Sequence, residues 1–199
     1  MTAAQRMQQA TISQDAACSS AVRDRHALPH GVELRPLAAH RDERGSVAEF
    51  FRAEWAQGCA PVQWAMTASE AGVVRGVHVH LRHDDYFVVV SGTVSAGLRD
   101  LRPSSPSEGL AVLLELSGDA PAALIIPHGV AHGFIFHTPS IFILGTSHYY
   151  DRADELGCHW RDPQLGLAWP EAGARLSPRD AALPALRELL PHIPAWRGG

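Results

Sequence analysis

The sequence contains no lysine, and all 17 of its basic residues are arginines. Without a side-chain amine the chain cannot form a Schiff base, which excludes pyridoxal phosphate as a cofactor. It also cannot place a lysine against a phosphate group or use one to stabilise an enolate. Another group must supply any such function, and we expect no nicotinamide or flavin cofactor either.

Long runs of one kind of residue are also missing. No basic run exceeds two residues and the net charge is −4, so neither nucleic acid nor an anionic membrane is favoured as a partner. No segment reaches the roughly 18 apolar residues that span a bilayer, and residues 1–30 lack the apolar core of a signal peptide. The three cysteines are widely spaced, which fits reduced thiols. We therefore expect a cytoplasmic protein.

The chain divides into two parts by composition and residue pattern. Residues 1–30 are rich in Ala, Gln and Ser and predict an N-terminal arm. From residue 31 to residue 199, short apolar runs such as Tyr86–Ser91 alternate with Gly, Pro, Ser and Asp clusters. This pattern predicts an all-β domain, an antiparallel barrel or sandwich. Helical periodicity is confined to about Pro178–Leu190, where prolines interrupt it.

A histidine pair stands out within residues 72–92, which have the pattern GxxxxxHxHxxxxDxxxxxxG. A second motif, PxGxxH, covers residues 127–132. Side chains at positions i and i+2 of a strand point to the same face, so His78 and His80 are suited to bind one metal ion. The spacing alone leaves open whether a metal is bound or whether the pocket works without one.

Six segments in the same order resemble the dTDP-4-dehydrorhamnose 3,5-epimerase family of the cupin superfamily. The resemblance runs from about residue 31 to residue 191 and implies a cupin jelly roll, or double-stranded β-helix, with a short C-terminal helical segment. It also implies a homodimer that exchanges a strand between subunits. The segments are DERG at 42–45, RGVH at 75–78, IPHGVAHGF at 126–134, YY at 149–150, WRDPQLGLAWP at 160–170 and LSPRD at 176–180.

The resemblance implies an isomerase that removes a proton α to the carbonyl of a 4-keto sugar nucleotide and returns it to the other face. By position, His78 corresponds to the base and Asp180 to the carboxylate that orients it. Two arginines correspond to residues that hold the diphosphate. The implied substrate-binding residues are Arg44, Glu49, Gln63, Arg75, His132 and Tyr150.

Two central positions differ from the family pattern. Asp85 stands where the resemblance places a catalytic lysine, and Leu144 stands where it places the tyrosine acid. A carboxylate cannot stabilise an enolate as a cation does, and leucine cannot donate a proton. Tyr149 is the nearest replacement donor.

His80 stands where the family commonly has glutamine. The resemblance to metal-binding cupins then implies a site for Fe, Mn, Ni, Zn or Co, whose ion would polarise a carbonyl oxygen. If His78 binds this metal it cannot also be a free base, and metal-bound hydroxide, His83 or Tyr149 must move the proton. The implied metal ligands are His78, His80, Asp85 and His132.

Two other functions remain open on the sequence. One is a metal-dependent cupin oxygenase or lyase that acts on a small acid or a natural-product intermediate. The other is a non-catalytic cupin that binds a small molecule. The epimerase hypothesis itself allows either a nucleotide-linked 4-keto sugar or a natural-product intermediate as substrate.

Overall fold

The computed structural model describes residues 27–55, 59–170 and 173–198. Residues 1–26, which make up most of the predicted arm, lie outside this part of the chain. Residues 27–30 pack against the domain: Pro29 is buried, and the backbone carbonyl of His30 accepts a hydrogen bond of 2.6 Å from Arg102 Nη2. The division at residue 30 remains a prediction.

Strands dominate the described residues, as the alternation of apolar runs and turn residues predicts. Three-residue 3-10 turns lie at Ala53–Trp55, Arg152–Asp154, Pro163–Leu165 and Leu190–His192. The strands are β1 (Glu33–Pro36), β2 (Ala39–Asp42), β3 (Gly45–Ala48), β4 (Gln63–Ser69), β5 (Val74–Val79), β6 (Asp85–Ser91), β7 (Thr93–Asp100), β8 (Ala111–Ser117), β9 (Ala122–Ile126), β10 (Val130–Phe136), β11 (Ser140–Thr146) and β12 (Leu156–Gly157).

Two five-stranded antiparallel sheets form the body of the domain. Their strand orders are β1-β9-β6-β11-β4 and β12-β5-β10-β7-β8, while β2 and β3 pair only with each other in a separate hairpin. The main core lies between the sheets and includes Phe87, Leu98, Phe134 and Phe142. The expected all-β cupin jelly roll is confirmed.

Strand β10 shows how the second sheet is covered on both faces. All seven of its residues are buried. Because side chains alternate along a strand, Phe134 joins the core between the sheets while Ala131 and Ile135 join a second cluster on the outer face. Leu186 and Leu189 of the C-terminal segment pack into that second cluster. The C-terminal segment therefore closes the outer face.

The C-terminal helical periodicity corresponds to two single-turn helices, α1 (Pro178–Ala181) and α2 (Leu186–Leu189). Pro184 separates them, because the residue before a proline avoids the helical conformation. Ser177 caps α1 by accepting a hydrogen bond of 3.0 Å from the backbone N–H of Asp180. This cap fixes Asp180 at the wall of the domain. None of the helices in the described ranges is long and apolar enough to cross a membrane.

Candidate active site

A cavity of about 550 Å³ opens within the jelly roll. Strands from both sheets and the segment around α1 contribute to its wall, and this volume is typical of small-molecule sites. One side of the wall is apolar, and the other is rich in histidine, arginine and carboxylate. The lining includes Gln63, Ala65, Thr67, Arg75, His78, His80, His83, Asp85, Phe87, His132, Phe134, Phe142, Leu144, Thr146, His148, Tyr150, Glu155, Arg175, Arg179 and Asp180.

His78 and Asp180 form a close pair in this wall. His78 Nε2 lies 2.8 Å from Asp180 Oδ1, and the Gly76 N–H donates to Asp180 Oδ2 at 3.3 Å. Burial alone would raise the pKa of Asp180, but the hydrogen bond from His78 and the charge attraction between them lower it. A carboxylate only accepts hydrogen bonds, so Nε2 carries the hydrogen and Nδ1 is the basic atom of the neutral ring. The pair is therefore built to accept a proton.

Asp85, the first residue of β6, is the centre of a second group. Its Oδ2 atom lies 3.1 Å from His132 Nε2 and 3.5 Å from His80 Nε2, and its Oδ1 atom lies 3.5 Å from His83 Nε2. The His80 and His83 rings stack with centroids 3.8 Å apart. All four residues are buried. Three imidazoles thus face one carboxylate.

The outer nitrogen of each imidazole is also occupied. His80 Nδ1 lies 3.1 Å from the backbone oxygen of Asp154, and His83 Nδ1 lies 2.9 Å from Asp154 Oδ2. His132 Nδ1 lies 3.2 Å from the backbone oxygen of Val130. These contacts hold the three rings in place and direct Nε2 of each towards Asp85.

Burial and charge act in opposite directions on this group. Desolvation lowers the pKa of His80 to about 4, so this ring is neutral at pH 7. Burial alone would raise the pKa of Asp85, but a proton on the His132 or His83 imidazole beside it lowers that pKa. Burial opposes the charged form of His83, yet its contacts with Asp85 and Asp154 raise its pKa. Asp85 is therefore a buried carboxylate.

The metal ligands expected from the sequence are only partly brought together. His80, Asp85 and His132 do meet, but His78 uses its Nε2 atom for Asp180. His83 takes its place: one ligand atom each from His80, His83 and Asp85 lie within 4.8 Å of one another. That a metal binds here remains a prediction.

The expected substrate-binding residues separate into two sets. Gln63, Arg75, His132 and Tyr150 line the cavity. Arg44 and Glu49 do not: both are exposed, where Arg44 pairs with Asp42 and Glu49 with Arg52. Arg44 lies in the turn of the β2–β3 hairpin and Glu49 directly follows β3, and within the described residues this hairpin pairs with neither main sheet. Within one chain, this part of the expected site is not assembled.

The tyrosine pair is also divided. Tyr150 lines the cavity, and its backbone N–H donates to Gln63 Oε1 at 2.9 Å. Tyr149 is 74% exposed and lies outside the lining, so its expected role as proton donor lacks the required position. Leu144 does line the cavity, paired across the sheet with Ala65 and Phe87. This wall is apolar.

Several residues of the site carry no clear signal in the sequence. Asp154 is buried and accepts hydrogen bonds from the backbone N–H groups of Leu81 and Arg82 as well as contacting His83. Arg179 lines the cavity and pairs with Glu155 at 3.0 Å. Only Arg179 could have been found beforehand, because it lies in the LSPRD segment beside Asp180.

A model of the dTDP-4-dehydrorhamnose 3,5-epimerase family matches residues 26–188. The chain belongs to this family. One relative in this family is the Bacillus subtilis spore coat polysaccharide biosynthesis protein SpsL. It is 32% identical to this chain over 145 residues, which cover 70% of this chain and 95% of SpsL. The dTDP-4-dehydrorhamnose 3,5-epimerase of Escherichia coli is 34% identical over 134 residues, which cover 65% of this chain and 72% of that enzyme.

Solved structures of the epimerase family have the same fold. ChmJ, a 3'-monoepimerase from Streptomyces bikiniensis in complex with dTDP-quinovose, superimposes with a TM-score of 0.79 at 28% identity, covering 85% of this chain and 92% of ChmJ. RmlC from Legionella pneumophila, in complex with dTDP-4-keto-L-rhamnose, gives a TM-score of 0.77 at 30% identity, covering 84% of this chain and 95% of RmlC. The resemblance drawn from the motifs is confirmed.

Proposed function

We propose that this protein is an epimerase that acts on a nucleotide-linked keto sugar and uses His78 as its base. The observation that carries the proposal is the contact of 2.8 Å between His78 Nε2 and Asp180 Oδ1 in the cavity wall. Family membership supports the same reaction class, because named relatives are dTDP-sugar epimerases.

In the proposed reaction, the Nδ1 atom of His78 accepts a proton from the carbon next to the keto group. The C–H electron pair moves towards the carbonyl and forms an enolate, while the Asp180 carboxylate stabilises the imidazolium. Epimerisation then requires a proton to return from the opposite face. Among the described residues that line the cavity, Tyr150 is the one with a phenol, so we assign the donor role to Tyr150 rather than to Tyr149.

Arginines supply the positive charge that a diphosphate would need. Arg75, Arg175 and Arg179 all line the cavity. Arg75 is held by hydrogen bonds to Ser69 Oγ at 2.8 Å and to the backbone oxygen of Ala68 at 3.3 Å. A planar guanidinium can bind phosphate oxygens through two parallel hydrogen bonds. The lysine-free composition is therefore compatible with a nucleotide-sugar substrate.

The proposal includes a homodimer. Strand β4 is at the edge of its sheet and exposes Met66 at 77%, and the β2–β3 hairpin exposes Val47 at 67%. Exposed apolar residues on an unpaired edge favour contact with another chain. In a dimer, Arg44 in the turn of the hairpin and Glu49 just after β3 could reach the partner's cavity. Light scattering should give the mass of two chains for the wild type. Met66→Glu should shift the measured mass towards that of one chain. A monomeric wild-type protein would contradict the dimer.

Solvent exchange tests the proposed reaction. The protein is incubated in D₂O with a dTDP-linked 4-keto-6-deoxy sugar, and mass spectrometry follows deuterium at the carbons beside the keto group. We expect exchange in the wild type and a loss of about a thousandfold in His78→Asn. His128→Asn is the matched control, because His128 Nδ1 also lies 2.8 Å from a carboxylate, Asp84, but outside the cavity lining.

The possible outcomes separate the candidate functions. Equal exchange rates in His78→Asn and the wild type would exclude His78 as the base. The buried histidine and aspartate group around Asp85 favours a metal-dependent oxygenase or lyase as the second candidate. Oxygen uptake without deuterium exchange, after reconstitution with iron, would support the oxygenase. A thermal shift with dTDP sugars but no turnover would support a binding protein.

A further inference from the structure

The hydrogen bonds around the buried histidines define where their hydrogens are. The Nδ1 atoms of His80 and His132 face backbone carbonyl oxygens, those of Asp154 and Val130, at 3.1 and 3.2 Å. The Nδ1 atom of His83 faces the Asp154 carboxylate at 2.9 Å. Carbonyl and carboxylate oxygens only accept hydrogen bonds, so each Nδ1 atom carries a hydrogen. In the neutral rings, each Nε2 atom therefore presents a lone pair.

While all three rings are neutral, their lone pairs point at another acceptor. The Nε2 atoms of His80, His83 and His132 lie 3.5, 3.5 and 3.1 Å from oxygens of Asp85. Asp85 Oδ1 is buried and has no hydrogen-bond partner among the described residues. An unsatisfied buried carboxylate oxygen is costly, and natural proteins rarely leave one. A proton on one ring would satisfy one of these contacts, whereas a bound cation would satisfy all four groups.

The spacing also suits a cation. Ligand atoms at about 2.1 Å from a tetrahedral ion are about 3.4 Å apart, and the imidazoles of His80 and His132 lie 3.5 and 3.1 Å from Asp85 Oδ2 while that of His83 lies 3.5 Å from Oδ1. One ligand atom each from His80, His83 and Asp85 already lie within 4.8 Å of one another. Imidazole nitrogens combined with one carboxylate select first-row transition ions over magnesium or calcium.

We propose that His80, His83 and Asp85, with His132 as the fourth donor, bind a divalent first-row transition-metal ion. This set differs from the ligands expected from the sequence because His83 replaces His78. Since His78 stays paired with Asp180, the site leaves the proposed base free. When bound, such an ion supplies a Lewis acid beside the cavity of a chain that has no lysine. The proposal concerns metal binding and does not depend on the proposed reaction.

Metal titration tests the site directly. Untagged protein is treated with a chelator, dialysed and titrated with Co²⁺ or Zn²⁺ alone, by calorimetry and, for Co²⁺, by visible ligand-field absorption. We expect one ion per chain. His83→Ala and His80→Ala should weaken binding about a hundredfold or more, because each removes a ligand. His78→Ala should bind the ion within about threefold of the wild type, since His78 lies outside the proposed set.

Two controls keep the result interpretable. His128→Ala removes an exposed imidazole that is also paired with a carboxylate, Asp84, and should leave the titration unchanged. If His83→Ala fails to fold by circular dichroism, His83→Gln replaces it in the same titration. The proposal is overturned if neither Co²⁺ nor Zn²⁺ binds the wild type, which would indicate a protonated imidazole at Asp85. It is equally overturned if His78→Ala abolishes binding while the His83 variant retains it.

Discussion

Two buried aspartates, Asp85 and Asp100, lie on consecutive strands but have opposite surroundings. Asp85 begins β6 and Asp100 ends β7, and a turn at Gly92 joins the two strands. Both side chains are at most 4% exposed. Asp100 faces an arginine and hydroxyl donors, whereas Asp85 faces three imidazoles. Both carboxylates are shielded from solvent, and they differ in how their charge and hydrogen-bonding capacity are satisfied.

The Asp100 carboxylate is fully satisfied. Oδ1 accepts from Arg102 Nε at 2.8 Å, and Oδ2 accepts from Arg102 Nη2 at 2.8 Å and from Ser105 and Ser107 Oγ at 2.6 Å each. Arg102 also donates to the His30 carbonyl, which ties the first described residues to the domain. This network is complete without a ligand. A complete buried network serves the fold, while an incomplete one such as that of Asp85 indicates a binding site.

Removing the Asp100 charge should have the largest effect on stability. Asp100→Asn leaves the buried Arg102 guanidinium without its counter-charge, and breaking a buried ion pair in this way costs about 3 kcal/mol. Urea denaturation followed by circular dichroism would measure the loss. Co²⁺ affinity should stay unchanged in the folded variant. A loss below about 1 kcal/mol would show that the Asp100 network is not structural.

Asp154 should affect metal binding without being a ligand. Its carboxylate holds His83 Nδ1 at 2.9 Å and so orients the ring that faces Asp85. Asp154→Asn should lower Co²⁺ affinity by about 10- to 100-fold and keep a stoichiometry of one, as expected when a group behind a metal ligand is changed. Asp151→Asn is the matched control, since Asp151 is an exposed carboxylate three residues away. Equal titrations of Asp154→Asn and the wild type would remove Asp154 from this role.

The sequence predicts the fold better than it predicts the site. Strand alternation and turn residues are local signals, and the motifs place His78 opposite Asp180 although 102 residues separate them. The metal ligands are harder to predict from the sequence, because β5 ends at Val79 and His80 lies just beyond it. The rule that alternate residues share a face holds only within a strand. In the segment after β5, the His83 ring stacks on the His80 ring, with centroids 3.8 Å apart.

The contribution of the Asp100 network to stability should depend on pH. Burial alone would raise the pKa of Asp100, but hydrogen bonds from Arg102, Ser105 and Ser107 lower it from 3.8 to about 2. The folded protein therefore binds this proton less tightly than the unfolded chain does. The stabilisation is present above about pH 4 and is lost as the pH falls towards 2. The difference in unfolding free energy between the wild type and Asp100→Asn should therefore be smaller at pH 3 than at pH 5. A constant difference between them would contradict the lowered pKa.

Asp85→Asn should have the smallest effect on stability and thus tests the comparison most directly. In metal-free protein it removes a buried charge that has no arginine partner among the described residues, and its amide can donate to a His132 or His80 lone pair. We expect the free energy of unfolding to change by less than about 1 kcal/mol, in either direction. Urea denaturation after chelator treatment measures this, with Asp100→Asn as the matched substitution. A loss as large as that of Asp100→Asn would make Asp85 a structural residue and would remove the distinction between the two aspartates.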